Sequence, residues 1–128
     1  MALKLILMRH AKSSWDQPVA DHDRALNDRG YSSAKIMGAW LKHSGHLPQE
    51  ALVSTARRTR DTFYGLGLTT ENVEFVSSLY HPNAQNLLEA LQSARAASVI
   101  LISHNPGITE FAELLARHPP LHDRFNNF

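Results

Sequence analysis

The sequence predicts an α/β fold, a three-layer sandwich in which a mostly parallel central sheet carries helices on both faces. Two observations predict it. Short apolar runs of strand length alternate with longer segments whose apolar residues recur at three- and four-residue steps, the pattern of successive βα units. Polar clusters directly follow three of the strand candidates, and open parallel sheets collect ligands beyond the carboxyl ends of their strands.

Taken in order, Leu3 to Met8 is a continuous apolar run that suits a strand covered on both faces. Residues 9–26 are polar, contain Pro18 and read as a functional loop. Asn27 is a good N-cap for a helix on which Ala34, Met37 and Leu41 share a stripe, widened by Ile36 and Trp40. These stripe residues are expected in the core. Gly45 and Pro48 close that helix. Ala51 to Val53 forms a second strand, and a helix from about Ala56 runs until Gly65 or Gly67. Val73 to Val76 is the least marked strand. Asn83 caps a helix with Leu87, Leu88 and Leu91 on one face, Val99 to Ile102 is a fourth strand, and Pro106-Gly107 opens a last helix bearing Ile108, Phe111 and Leu115. No internal repeat, linker or low-complexity stretch interrupts this order.

A chain of 128 residues is expected to form one domain, residues 1–128, with a core of its own. Its 43% hydrophobic and 20% charged content is that of a globular protein. A formal charge of +1 with dispersed basic residues gives no electrostatic case for nucleic acid or a membrane surface as partner. The apolar start, MALKLILM, is too short to span a bilayer and lacks the cleavage pattern of a signal peptide. There is no cysteine, which excludes disulfides and thiolate metal sites and fits a cytoplasmic protein.

Three polar clusters fall at strand ends: Arg9-His10 after the first strand, Arg57-Arg58 beyond the second, and His104 after the fourth. Guanidinium groups bind phosphate oxygens in bidentate fashion and keep their charge. Helix starts after residues 55 and 105 would add backbone N–H donors for an anion. A neutral histidine is a competent nucleophile, and neighbouring arginines should lower its pKa. The expected chemistry is attack by one imidazole on phosphorus, with the guanidiniums and a protonated His104 stabilising charge on the transferring oxygens. No metal or cofactor is needed in this scheme, and no Walker-type glycine signature is present.

The segments LMRHAKSSW (7–15), DHDRALNDRG (21–30), VSTARRTRDT (53–62) and ISHNPGI (102–108) resemble, in order, the histidine phosphatase superfamily, and within it the short phosphohistidine phosphatases. The resemblance implies a phosphoglycerate mutase-like fold and assigns His10 as the nucleophile and Arg9 as the arginine before it. It further assigns Arg58 as the second phosphate-binding arginine, with Arg57 the alternative if the register slips, and His104 as the second histidine. Asn105 and Ser103 stand beside His104 as further candidate phosphate donors. The Asp21–Arg24 segment reads equally as a loop that orients the site and as a surface turn.

Two departures from the family pattern matter. Many relatives carry a glutamate general acid around Leu79-Tyr80-His81, where this sequence has none; Asp16, Asp23 and His81 are substitutes to consider. An alkoxide leaves poorly without an acid, whereas protonated imidazole leaves easily, so the gap favours phosphohistidine of a partner protein as substrate. A small phosphate ester is the alternative, and a non-catalytic phosphate- or phosphohistidine-binding module is a third reading. A histidine–carboxylate metal site built from His10, His22, His104 and Asp23 is opposed by the cation at Arg9. The second departure is that the sequence ends short of the further strand found in relatives. The expected sheet therefore either lacks a C-terminal strand or belongs to an incomplete chain, and a sheet edge is left open to pairing. Oligomeric state is not legible.

Overall fold

The computed structural model describes residues 3–117. Four strands, β1 (Lys4–Arg9), β2 (Glu50–Ser54), β3 (Asn72–Val76) and β4 (Ser98–Ser103), form one sheet in the order β1-β4-β2-β3. All three pairings are parallel. The α-helices among the described residues are α1 (Asp28–His43), α2 (Arg57–Leu66), α3 (Ala84–Ser93) and α4 (Gly107–Arg117). Among the described residues no helix is long and apolar enough to cross a membrane.

Strand periodicity divides the core in two. Ala51, Val53, Ile100 and Ile102 face one way and pack with Leu41 of α1 and Phe63 and Leu66 of α2. Leu52, Val99 and Leu101 face the other way, onto Leu87 and Leu91 of α3 and Phe111 of α4. Alternate residues of a strand point to opposite faces, so two helical layers cover one sheet.

The helix ends follow their sequence signals. The Asn27 side chain accepts from the Gly30 N–H, and Asn83 and Asn86 form a reciprocal capping box. Gly67 ends α2 at φ 64°, a conformation that favours glycine.

Two expectations need correction. First, β1 does pack on both faces, Leu5 and Leu7 on one and Ile6 and Met8 on the other, but it is paired only with β4 among the described strands and its apolar residues are half-buried rather than fully covered. An apolar run reads the same whether its strand sits at the centre or the edge. Second, Ile36, Met37 and Trp40 are exposed, at 69%, 44% and 54%. The buried side of α1 is Gly30, Ala34, Gly38 and Leu41. A Cβ at Gly38 would stand 1.9 Å from the Leu66 carbonyl oxygen. The α1 seam is thus built of small residues because α2 lies so close, and the large side chains point outward. The chain beyond residue 117, where the missing strand was at issue, lies outside the described residues.

Candidate active site

Because β4 lies between β1 and β2, the carboxyl ends of these three strands are neighbours. The segments leaving them line a single cavity of about 320 Å³, with Arg9, His10, Arg58, His104 and Asn105 all in its wall. The structure brings these five predicted residues together.

His10 leaves β1 with its backbone N–H donating to the Ser103 carbonyl at 3.2 Å. The next N–H, of Ala11, donates to Thr62 Oγ1 of α2 at 3.0 Å. Further along, the Lys12 carbonyl accepts from the Asn27 N–H at 3.0 Å. That carbonyl lies so near Gly30 that a Cβ there would meet it at 2.1 Å, so glycine is required for α1 to seat the loop. These ties fix where His10 stands.

Its tautomer is fixed too. Nδ1 lies 2.7 Å from the Ala11 carbonyl, which can only accept, so Nδ1 carries the proton. The lone pair is then on Nε2. Burial, followed by the charges of Arg58, Arg9 and Arg24, lowers the His10 pKa to about 4, despite the opposing pull of the Ala11 carbonyl. The ring is neutral at physiological pH.

His104 is 97% buried, its ring centroid 5.3 Å from that of His10. Burial first, then Arg58, His10 and His81, lower its pKa to about 3. This corrects the expectation of a protonated His104, because the desolvation that builds the pocket outweighs the pull of Asp21. A neutral imidazole can still donate from one nitrogen.

Arg58 is buried, donating from Nη1 to the Asp21 carbonyl at 2.7 Å and from Nη2 to Asp21 Oδ2 at 3.1 Å, while its Nε is buried without a partner. Arg57 is half exposed, pairs with Asp61 at 3.4 Å and lines an adjacent crevice, so the register places Arg58 in the cavity. The oxygen of Asn105 accepts from the N–H and hydroxyl of Thr109, which leaves its amide N–H₂ free to donate. Ser103 is different: its hydroxyl is spent on the Leu79 carbonyl at 2.7 Å, and it is not available to phosphate.

Sequence reasoning missed the importance of Asp21. Its carboxylate accepts from Tyr80 Oη at 2.5 Å, from Arg58, and from Arg24 Nε at 3.2 Å. These bonds, that of Tyr80 foremost, hold its pKa far below the usual carboxylate range. Of the two readings of the 21–24 segment, the geometry therefore matches a loop that orients the site. Arg24 is itself buried, bonded to Ser13 Oγ at 3.0 Å and stacked 3.4 Å from the ring centroid of the exposed Trp15. No signal short of the folded topology pairs Asp21 with Arg58, 37 residues away.

Of the three substitutes for a general acid, His81 lines the cavity, while Asp16 and Asp23 do not. His81 adopts a φ of 54°, rare for a non-glycine residue, with Nε2 3.8 Å from Asp21 Oδ2 and its ring 6.3 Å from that of His104. His22 is engaged elsewhere, 2.9 Å from Thr55 Oγ1, and no three His, Asp or Glu side chains gather to hold a metal among the described residues.

Residues 5–79 match the family model of the histidine phosphatase superfamily, branch 1. The chain belongs to that superfamily. It is 34% identical over 128 residues to an uncharacterized chloroplastic protein of Arabidopsis thaliana, in an alignment covering 88% of this chain and 59% of the plant protein. The chain thus spans little more than half the length of that relative. Among solved structures, SixA from Nakamurella multipartitia is 33% identical with a TM-score of 0.79, covering 91% of this chain and 71% of its own. The protein histidine phosphatase SixA complexed with tungstate is 26% identical with a TM-score of 0.80, covering 91% and 80% respectively. The three-layer architecture is that of these histidine phosphatases.

Proposed function

We propose that this histidine phosphatase superfamily member is a phosphatase that carries the phosphoryl group on Nε2 of His10 between two displacements. One observation carries the reading: the Ala11 carbonyl holds the proton on Nδ1, leaving a neutral nucleophilic nitrogen on a ring that lines an arginine-walled cavity. In the first step the Nε2 lone pair bonds to phosphorus, and the P–O or P–N bond breaks with its electron pair going to the leaving group, which takes up a proton. In the second, water attacks phosphorus, the P–Nε2 bond breaks, and inorganic phosphate leaves as the water proton passes to solvent. Arg9, Arg58, Asn105 and His104 would bind the non-bridging oxygens, in keeping with the tungstate held by the SixA relative.

The proposed substrate is phosphohistidine on a partner protein. No carboxyl acid stands at 79–81, and an imidazole leaving group needs none. Its proposed compartment is the cytoplasm, with which a cysteine-free chain is compatible. One observation favours a phosphate ester instead: His81, at the cavity wall beside Asp21, is placed to protonate a poorer leaving group.

Turnover of a phosphohistidine protein and of an aryl phosphate, compared in the wild type and in a folded His10→Ala variant, tests the proposal. Both activities should vanish in the variant, and rapid acid-free quenching of the wild type should find phosphoryl on His10. A chain that binds phosphohistidine yet never labels His10 would be a binding module.

A further inference from the structure

One buried contact behind the cavity wall has no part in the scheme above. Ser54, the last residue of β2, is fully buried, and its Oγ lies 2.7 Å from Nε2 of His104. The same Oγ accepts from the Ala56 N–H at 3.4 Å. The other ring nitrogen, Nδ1 of His104, is buried with no hydrogen-bond partner.

We propose that Ser54 is a positioning residue that sets the tautomer of His104, donating its hydroxyl proton to Nε2 so that Nδ1–H is presented to a phosphoryl oxygen. The inference rests on the phosphatase reading and names how one of its oxyanion donors is prepared. A neutral His104 has one proton for two nitrogens. Were it on Nε2, that N–H would donate to Ser54, and the Ser54 hydroxyl would then lack an acceptor among the described residues at a site without solvent. Nδ1 would also offer a bare lone pair to an incoming anion. With the proton on Nδ1, every hydrogen of the Ser54 contact is placed: Ala56 N–H to Oγ, and Oγ–H to Nε2. A single donor is left over, and a phosphoryl oxygen satisfies it.

Arg58 Nε is unpartnered in the same way. Both residues line the cavity, so two donors without an acceptor lie at or just beneath its wall, one on a fixed cation and one on a neutral ring. Preorganised donors of this kind need no reorientation when charge develops on the transferring group. A neutral donor also avoids placing a second positive charge next to Arg58, which would otherwise be desolvated beside it.

The ring ¹⁵N shifts of His104, read from long-range ¹H–¹⁵N spectra of the wild type, test this directly. The expected result is a pyrrole-type Nδ1 and a pyridine-type Nε2; the reverse assignment overturns the proposal. In Ser54→Ala the preference should relax to a mixture, and the dissociation constant for tungstate should rise as the inverse of the remaining Nδ1–H fraction, about twofold for an even mixture. Ser54→Thr keeps the hydroxyl and should restore both readouts. An unchanged tautomer together with unchanged tungstate affinity in Ser54→Ala would equally overturn it. Should the threonine variant fail to fold, the wild-type and alanine spectra still decide. Neither readout needs turnover, so full activity in His10→Ala would defeat the phosphatase reading while leaving the tautomer result intact.

Discussion

The two halves of the cavity differ in how firmly they are held. The half built on β2 and β4 is interior: Ser54 and Ser103 are fully buried, and His104 and Arg58 are 3% and 4% exposed. Its polar groups are tied to one another and to Asp21 by direct hydrogen bonds. The half built on β1 is peripheral. Its strand is the outermost of the described strands, Arg9 is exposed, His10 is half-buried, and Trp15 at the rim is 74% exposed. On the proposed function, the contrast is a division of labour. Oxyanion donors act by being fixed before the charge arrives, which favours burial. A nucleophile has to be reached by phosphorus, which favours the edge.

That comparison breaks if variants in the two halves behave alike. The largest effect is expected from His10→Ala, where turnover should fall by roughly 10³-fold or more while tungstate still binds within a few-fold of the wild type, as isothermal titration would read. Arg58→Ala should instead lose both functions, lowering kcat/KM by about 10²-fold and weakening the oxyanion with it. It should also lower Tm, because Asp21 loses two bonds from a buried guanidinium. A third variant sharpens the comparison at the rim. In His81→Ala, esters with poor leaving groups should slow by roughly 10- to 100-fold while phosphohistidine hydrolysis is nearly unchanged, so a leaving-group series would steepen. An equal loss across the series would remove His81 as an acid.

The last effect is one of pH. His10 and His104 carry pKa values lowered to about 4 and about 3, so each stays neutral until the pH approaches those values. In the unfolded chain the same rings take up protons near pH 6.5. As pH falls below 6.5 the unfolded state therefore binds more protons, and stability declines progressively, through about pH 4 for His10 and on to about pH 3 for His104. NMR titration of the two rings should show no protonation between pH 8 and 5. A midpoint near 6.5 for either ring would contradict the account.

Much of this was legible in the amino-acid order. Strand and helix positions followed from apolar runs, from the Asn27 and Asn83 caps and from Gly67, all of them local signals. The cavity residues were legible because parallel strands deliver whatever follows them to one edge of the sheet. Three things were not. The outward face of Trp40 depends on how closely α1 meets α2, which residue size alone reveals only when Gly38 is weighed with its neighbour. The edge position of β1 depends on strand order, to which a strand's own composition is blind. Asp21, Ser54 and Thr62 act through partners 37 to 51 residues distant, and a short polar side chain gives no advance notice of such a bond.

Co-crystallisation with vanadate tests the central assignment most directly. Vanadium is expected within covalent reach of His10 Nε2, with Arg58 Nε and His104 Nδ1 donating to its oxygens. Vanadate bound away from His10, or a His10 ring turned so that Nδ1 faces the anion, would contradict it.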